Sequence, residues 1–259
     1  MTPGLRYSTW MLKKLSLCAI ALFLCAVPVF AITYGQPDGN RHPSTGALVG
    51  TFSSGTFPYC SGTLISPSVF LTAAHCDIGR ARVFVTFDSA FSSKSKLLPG
   101  TFYGDPLFNQ AQSDPHDIAV IVLDSPVKIA PARLPAAGSL SSLQVNDPFT
   151  SVGYGGQEAV NQPGGPVIAF LDTRELSTGS LNAINPAWLR LSQNIHTDDG
   201  GTCYGDSGGP NFLGAGSTET NIIGGTTITG DALCKATNVI YRLDTDSARS
   251  FLSRFVKLP

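Results

Sequence analysis

What most restricts the fold of this chain is the spacing of its apolar residues. From residue 47 onward they come in short runs, at 47–49, 62–65, 69–72, 83–87 and 118–123, separated by clusters of Gly, Pro, Ser and Asp. A second series follows at 149–152, 167–171, 188–191, 222–226 and 239–243. Runs of three to six residues are too short for helices but suit strands, and their even spacing predicts an all-β sandwich or barrel. Between Pro131 and Pro148 the periodicity lapses into Pro, Ala, Ser and Leu, as expected of a crossover between two lobes. With 259 residues, 42% hydrophobic, 27 Gly and 18 Pro, the chain can bury the core of one large or two small β domains. Only the end reads as helical. Thr245 or Asp246 can cap a helix over about 245–256, in which Phe251, Leu252, Phe255 and Val256 share one face.

The N-terminus has the composition of a signal peptide. Lys13 and Lys14 precede an apolar stretch from Leu15 to about Phe30, and Val29 and Ala31 are small residues placed for a cut after Ala31. About 16 apolar residues fall short of the roughly 20 that span a bilayer, which weighs against a membrane anchor. The predicted product is secreted or periplasmic and begins at Ile32. Losing residues 1–31 removes three of the 17 basic residues and none of the 18 acidic ones, leaving a net charge of −4. No basic field for nucleic acid or an anionic membrane remains. Cys60, Cys76, Cys203 and Cys234 also remain, and four cysteines in an oxidising compartment imply two disulfides with three possible connectivities. A zinc site is the competing reading, but no C-x-x-C pair exists.

Three segments carry possible chemistry. Cys203-Tyr204-Gly205-Asp206-Ser207-Gly208-Gly209-Pro210 surrounds one serine with glycines, so that backbone can approach a substrate carbonyl. A serine hydroxyl is a weak nucleophile that needs a base and donors for the oxyanion, and the Gly205 and Ser207 amides can serve as those donors. Leu71-Thr72-Ala73-Ala74-His75-Cys76 offers the base. His42, His116 and His196 lie in polar contexts, which leaves His75 the histidine best fixed by its surroundings. Asp117 opens the apolar run Ile118–Leu123, where a carboxylate is costly to bury unless a donor such as imidazole meets it.

The order His75, Asp117, Ser207, with spacings of 42 and 90 residues and the flanks T-A-A-H-C, D-I-A-V and G-D-S-G-G-P, resembles the chymotrypsin-like (trypsin-fold) serine proteases. Leu134-Pro135 and Gly153-Tyr154-Gly155 fall in the family's order too, the latter with Tyr where the family has Trp. The resemblance extends from Ile32 to about Val256. It implies two six-stranded antiparallel β-barrels with a C-terminal helix in one protease domain over 32–259, the N-terminal barrel at about 32–135 and the C-terminal barrel at about 148–244. It further implies a serine endopeptidase acting through a His-Asp-Ser triad, with disulfides Cys60–Cys76 and Cys203–Cys234. A catalytically silent homologue serving as a binding module is the alternative, and such proteins usually lack a triad residue.

In the family, the carboxylate before the serine pairs with the free α-amine of the mature N-terminus, usually in I-V-G-G. Ile32-Thr33-Tyr34-Gly35 lies at the matching place, 43 residues before His75, which implies an Ile32–Asp206 pair created by the leader cut itself. The family reads the residue before the scissile bond with the side chain six positions ahead of the serine. Here that is Gly201, followed by Thr202, and not an acid that would draw Lys or Arg. Thr227-Ile228-Thr229 matches the family's S-W-G, and Val239 falls where another pocket glycine commonly sits. Larger residues at those walls imply a shallow pocket for small or medium apolar side chains. The expected partners are protein or peptide substrates, the expected state is a monomer, and no metal or other cofactor is implied.

Overall fold

The computed structural model describes residues 32–259, so the predicted leader over 1–31 lies outside the described residues. A two-residue strand, β1 (Gln36–Pro37), precedes the first barrel. That barrel contains β2 (Thr45–Phe52), β3 (Gly55–Ser66), β4 (Val69–Thr72), β5 (Arg82–Thr86), β6 (Leu98–Gly104) and β7 (Ala119–Leu123). It closes in the order β2-β3-β4-β7-β6-β5. After the crossover come β8 (Pro148–Gly153), the hairpin β9 (Val160–Gln162) and β10 (Gly165–Val167), then β11 (Glu175–Ile184), β12 (Trp188–Ser192), β13 (Pro210–Leu213), β14 (Ile223–Gly230) and β15 (Thr237–Arg242). The second barrel runs β8-β11-β12-β15-β14-β13 and closes because β8 pairs with both β11 and β13, while β1 adds to the outer edge of β11. Closure leaves no unpaired strand edge in either barrel.

Most strands coincide with the apolar runs; β4 is the run 69–72 residue for residue. Three of the strands that close the barrels have no such run. β6 carries Pro99 and Gly100, β13 begins at Pro210, and β11 is built from Ser, Thr, Gly and Asn around Leu176 and Leu181. Their strand character comes from partners on both sides, which supply the ladder that local propensity does not. The C-terminal helix, α1 (Asp246–Leu252), is shorter than the predicted 245–256. Thr245 caps it by accepting the Ala248 amide at 3.3 Å. After Leu252 the chain leaves the helix in turns, yet Phe255 and Val256 still pack on the core.

One apolar cluster extends through both barrels, from Leu48, Phe70, Leu71 and Ile121 to Val152, Phe212 and Tyr241. A buried polar network joins the barrels as well. Arg174, 1% exposed, gives its Nε to Asp38 at 2.7 Å, its Nη1 to the carbonyls of Thr45 and Phe87, and its Nη2 to the Gly39 carbonyl and the Asn40 side chain. His42 lies between Asp38 (2.5 Å) and Glu219 (2.7 Å) and stacks on Phe212. Burial alone would lower the His42 pKa, but its hydrogen bonds to Asp38 and Glu219 raise it above the ordinary value. Asp38 is also opposed by burial, yet bonds to His42 and Arg174 hold it below the usual carboxylate range.

Candidate active site

His75 sits in a single 3-10 turn, Ala74–Cys76, at the end of β4. Its ring Nδ1 is 2.7 Å from Asp117 Oδ2, and its backbone amide donates to Asp117 Oδ1 at 3.0 Å. One carboxylate thus fixes both the ring and the turn that bears it. Asp117 is 1% exposed at the mouth of β7. The loop before it is held by the second barrel, since Asp114 accepts from Tyr241 Oη at 2.8 Å and from Ser247 Oγ at 2.7 Å. A neutral imidazole bound through Nδ1–H presents Nε2 as a proton acceptor.

Ser207 lies in the turn between Cys203 and β13. His75 and Ser207 both line one cavity of about 380 Å³ at the junction of the barrels. Gly205 has φ +96°, a left-handed conformation that L side chains rarely adopt. Among the described residues, neither the Gly205 nor the Ser207 amide has an internal acceptor. Two amide donors beside a serine are what a developing oxyanion requires; of the two residues, Ser207 lines the cavity and Gly205 does not. The turn is clamped from the first barrel by Ser61, which sequence reasoning missed. The Ser61 amide donates to the Ser207 carbonyl at 2.8 Å; its hydroxyl donates to the Gly205 carbonyl and accepts the Tyr154 amide, both at 3.0 Å. The only available signal for Ser61 was a polar residue at the head of the apolar run 62–65.

Asp206 is fully buried. Its carboxylate accepts the Gly155 amide at 2.7 Å and the Cys203 amide at 2.9 Å. Ideal Cβ atoms on Gly153 and Gly155 would stand 2.1 and 2.4 Å from its oxygens, so only glycine lets the backbone close around this acid. Burial pushes its pKa up to about 7, against the effect of those two amides, and the neighbouring Glu175 adds to the rise. Among the described residues no cationic side chain bonds to it. Ile32 is buried with φ +64°, and Thr33 pairs with Gly201 through both backbone groups at 3.1 Å.

The disulfides Cys60–Cys76 and Cys203–Cys234 close loops of 16 and 31 residues. Each contributes about 3–4 kcal/mol in the chain-entropy picture. Cys60, His75 and Cys76 are grouped closely enough for a metal ion, but the two sulfurs are bonded to each other and offer no thiolate. Of the predicted pocket residues, Thr202, Thr227, Ile228 and Thr229 line the cavity shared by His75 and Ser207. Gly201 and Val239 do not. Gly201 is covered by Gln193, and Val239 faces a neighbouring cavity of about 290 Å³ that also touches Asp117, Trp188 and Thr229. Thr229 pairs with Val239 across β14 and β15, past a register shift at Ile228. Behind this wall Asn211 donates to Thr227 Oγ1 at 3.0 Å and accepts from Asn238 and Ser151.

A profile of the trypsin family matches residues 36–247. The chain belongs to the trypsin family. Over 190 residues it is 29% identical to a protein named trypsin from Saccharopolyspora erythraea, covering 68% of this chain and 79% of the relative. To the alpha-fibrinogenase albofibrase of Trimeresurus albolabris it is 33% identical over 189 residues, 66% of this chain and 67% of the relative. To the venom plasminogen activator Haly-PA of Gloydius brevicauda the identity is 32% over 188 residues, again 66% and 67%. Trypsin-family proteins are serine endopeptidases, so this one is a hydrolase of peptide bonds in protein substrates.

Proposed function

We propose that the protein is a secreted endopeptidase in which Ser207 is the nucleophile, His75 the general base and acid, and Asp117 the group that orients the imidazole. The observation that carries this reading is the Asp117 carboxylate bound to His75 Nδ1, with His75 and Ser207 on one cavity. Ser207 Oγ forms a bond to the scissile carbonyl carbon as its proton passes to His75 Nε2. The carbonyl oxygen becomes an oxyanion between the Gly205 and Ser207 amides. The C–N bond then breaks, the amine leaves with the proton from His75, and an acyl-serine remains. Water attacks it by the same proton route in reverse and frees the carboxylic acid and Ser207.

The residue before the scissile bond is small or medium and apolar on this reading. It enters beside Thr202, Thr227, Ile228 and Thr229. Position 201 next to them carries no acid, and Asp231, the acid that lines the cavity, is engaged by the amides of Lys235, Ala236 and Thr237. Activation follows from the cut after Ala31. The new Ile32 α-amine pairs with Asp206, whose buried carboxylate has only amide donors among the described residues. The two disulfides suit an oxidising compartment, and no helix among the described residues is long and apolar enough to cross a membrane.

The test is covalent labelling of the protein from culture medium with a fluorophosphonate, together with its N-terminal sequence. One label per chain at Ser207, absent from Ser207→Ala, and a first residue Ile32 are expected. An unlabelled folded protein would overturn the catalytic assignment, and a different first residue would overturn the activation route.

A further inference from the structure

Gln193 follows β12 and is completely buried, although it is polar and lies among loops. Its carboxamide spans two residues that line the catalytic cavity. Oε1 accepts the Thr202 amide at 2.9 Å, and Nε2 donates to Asp231 Oδ1 at 3.3 Å. Asp231 is fixed in turn by the amides of Lys235, Ala236 and Thr237, which anchor the loop between β14 and β15. An ideal Cβ on Gly201 would stand 2.1 Å from Gln193 Oε1 and 2.6 Å from its Cβ. Gln193 therefore fills the volume into which a side chain at position 201 would project. Gly201 itself has an ordinary backbone conformation that any residue adopts, so what bars a side chain there is occupancy and not φ.

From this we infer that Gln193 is a specificity-determining residue: a plug, supplied by a different segment, that closes the floor of the substrate pocket and restricts it to short aliphatic side chains. The inference rests on the catalytic reading above and names what sets the pocket's depth. Residues 193 and 201 compete for one space. With glycine at 201 the floor would lie open, and Gln193 closes it while satisfying the Thr202 amide, which would otherwise be buried without an acceptor. Pocket depth is an effective discriminator, because one methylene group changes kcat/KM by about 10- to 200-fold.

The experiment uses the mature enzyme, with active sites counted by fluorophosphonate, and measures kcat/KM on peptide nitroanilides ending in Ala, Val, Leu or Phe. In Gln193→Ala the Phe-to-Ala ratio is expected to rise at least about tenfold. In Gln193→Ala/Gly201→Ser, where the second site refills the vacated volume, the ratio should return toward that of the parent. Gly201→Ser alone should lower the yield of folded enzyme, since the space is taken. If Gln193→Ala does not accumulate, Gln193→Asn, one methylene shorter, reads the same ratio and should shift it the same way. A labelled variant with the ratio changed less than about twofold, or with all four substrates reduced equally, would leave Gln193 a structural residue and overturn the proposal. Failure of the parent enzyme to label would instead overturn the catalytic reading, and the plug with it.

Discussion

Asp206→Asn should change sign in its effect on stability according to whether a residue precedes Ile32. In a chain with any residue before Ile32, position 32 has no free amine, and among the described residues the Asp206 carboxylate accepts only from the Gly155 and Cys203 amides. Burial raises its pKa from 3.8 to about 7. A carboxyl whose folded pKa lies above its unfolded value binds more protons folded than unfolded, so stability falls as pH rises between the two values. Three units correspond to a loss of roughly 4 kcal/mol between about pH 4 and pH 7, at about 1.4 kcal/mol per unit. Asparagine removes that charge, although its NH2 meets one of the two amide donors at a cost of about 1–3 kcal/mol. The substitution should therefore flatten the slope and, on balance, stabilise the extended chain at pH 8. On the proposed activation, the form beginning at Ile32 places an ammonium beside Asp206, which should lower the carboxyl pKa and reverse the slope. There the same substitution leaves a buried cation unpaired and should cost about 3–5 kcal/mol. The assay is urea unfolding of both forms, disulfides intact, at pH 5 and pH 8. An extended chain equally stable at the two pH values, or a substitution of the same sign in both forms, would refute the reasoning.

Asp117→Asn should fold normally yet lose on the order of 10⁴ in kcat, a figure carried over from the family's type enzyme, because amide nitrogen at the His75 Nδ1 contact favours the wrong tautomer; steady-state kinetics on the labelled fraction checks it. Ser61→Ala leaves the buried Tyr154 amide without its acceptor and should cost about 1–3 kcal/mol in urea unfolding. The His42 pKa is raised, so its link to Asp38 and Glu219 stabilises the fold below about pH 6.5 and is lost as pH rises through the folded value. His42→Phe should remove that dependence in the midpoint of thermal unfolding measured from pH 5 to pH 9.

The segments proposed as catalytic were legible because their chemistry is local. The glycines around Ser207, the small residues under His75 and the acid at the head of β7 each constrain a few consecutive positions. Strands β4 and β7 were equally plain, being apolar along most of their length. β6, β11 and β13 were not, since Pro99, the Ser and Thr of β11 and Pro210 carry no apolar period, and the neighbouring strands decide their conformation. The substrate pocket defeats sequence reading for the same reason. Gly201 and Val239 were placed in it by counting along the chain, but neither lines the cavity shared by His75 and Ser207, and the space beside Gly201 is filled by Gln193, whose position depends on how one loop folds over another. Arg174 was equally silent, as a lone basic residue before β11 gives no sign that it will be buried with six acceptors around it.

The buried Arg174 has a further consequence for processing. By gripping Asp38, Gly39 and Asn40 it fixes the chain a short distance after the N-terminal segment, and the two backbone hydrogen bonds between Thr33 and Gly201 fix it again one residue after Ile32. Together the two grips act as a ruler whose zero mark is residue 32. A cut one residue early would carry the new amine roughly 3.5 Å beyond the mark, and a cut one residue late would discard the buried isoleucine that seats it. On the proposed activation chemistry, the fold thus measures where its own leader has been removed and responds to one bond in the chain.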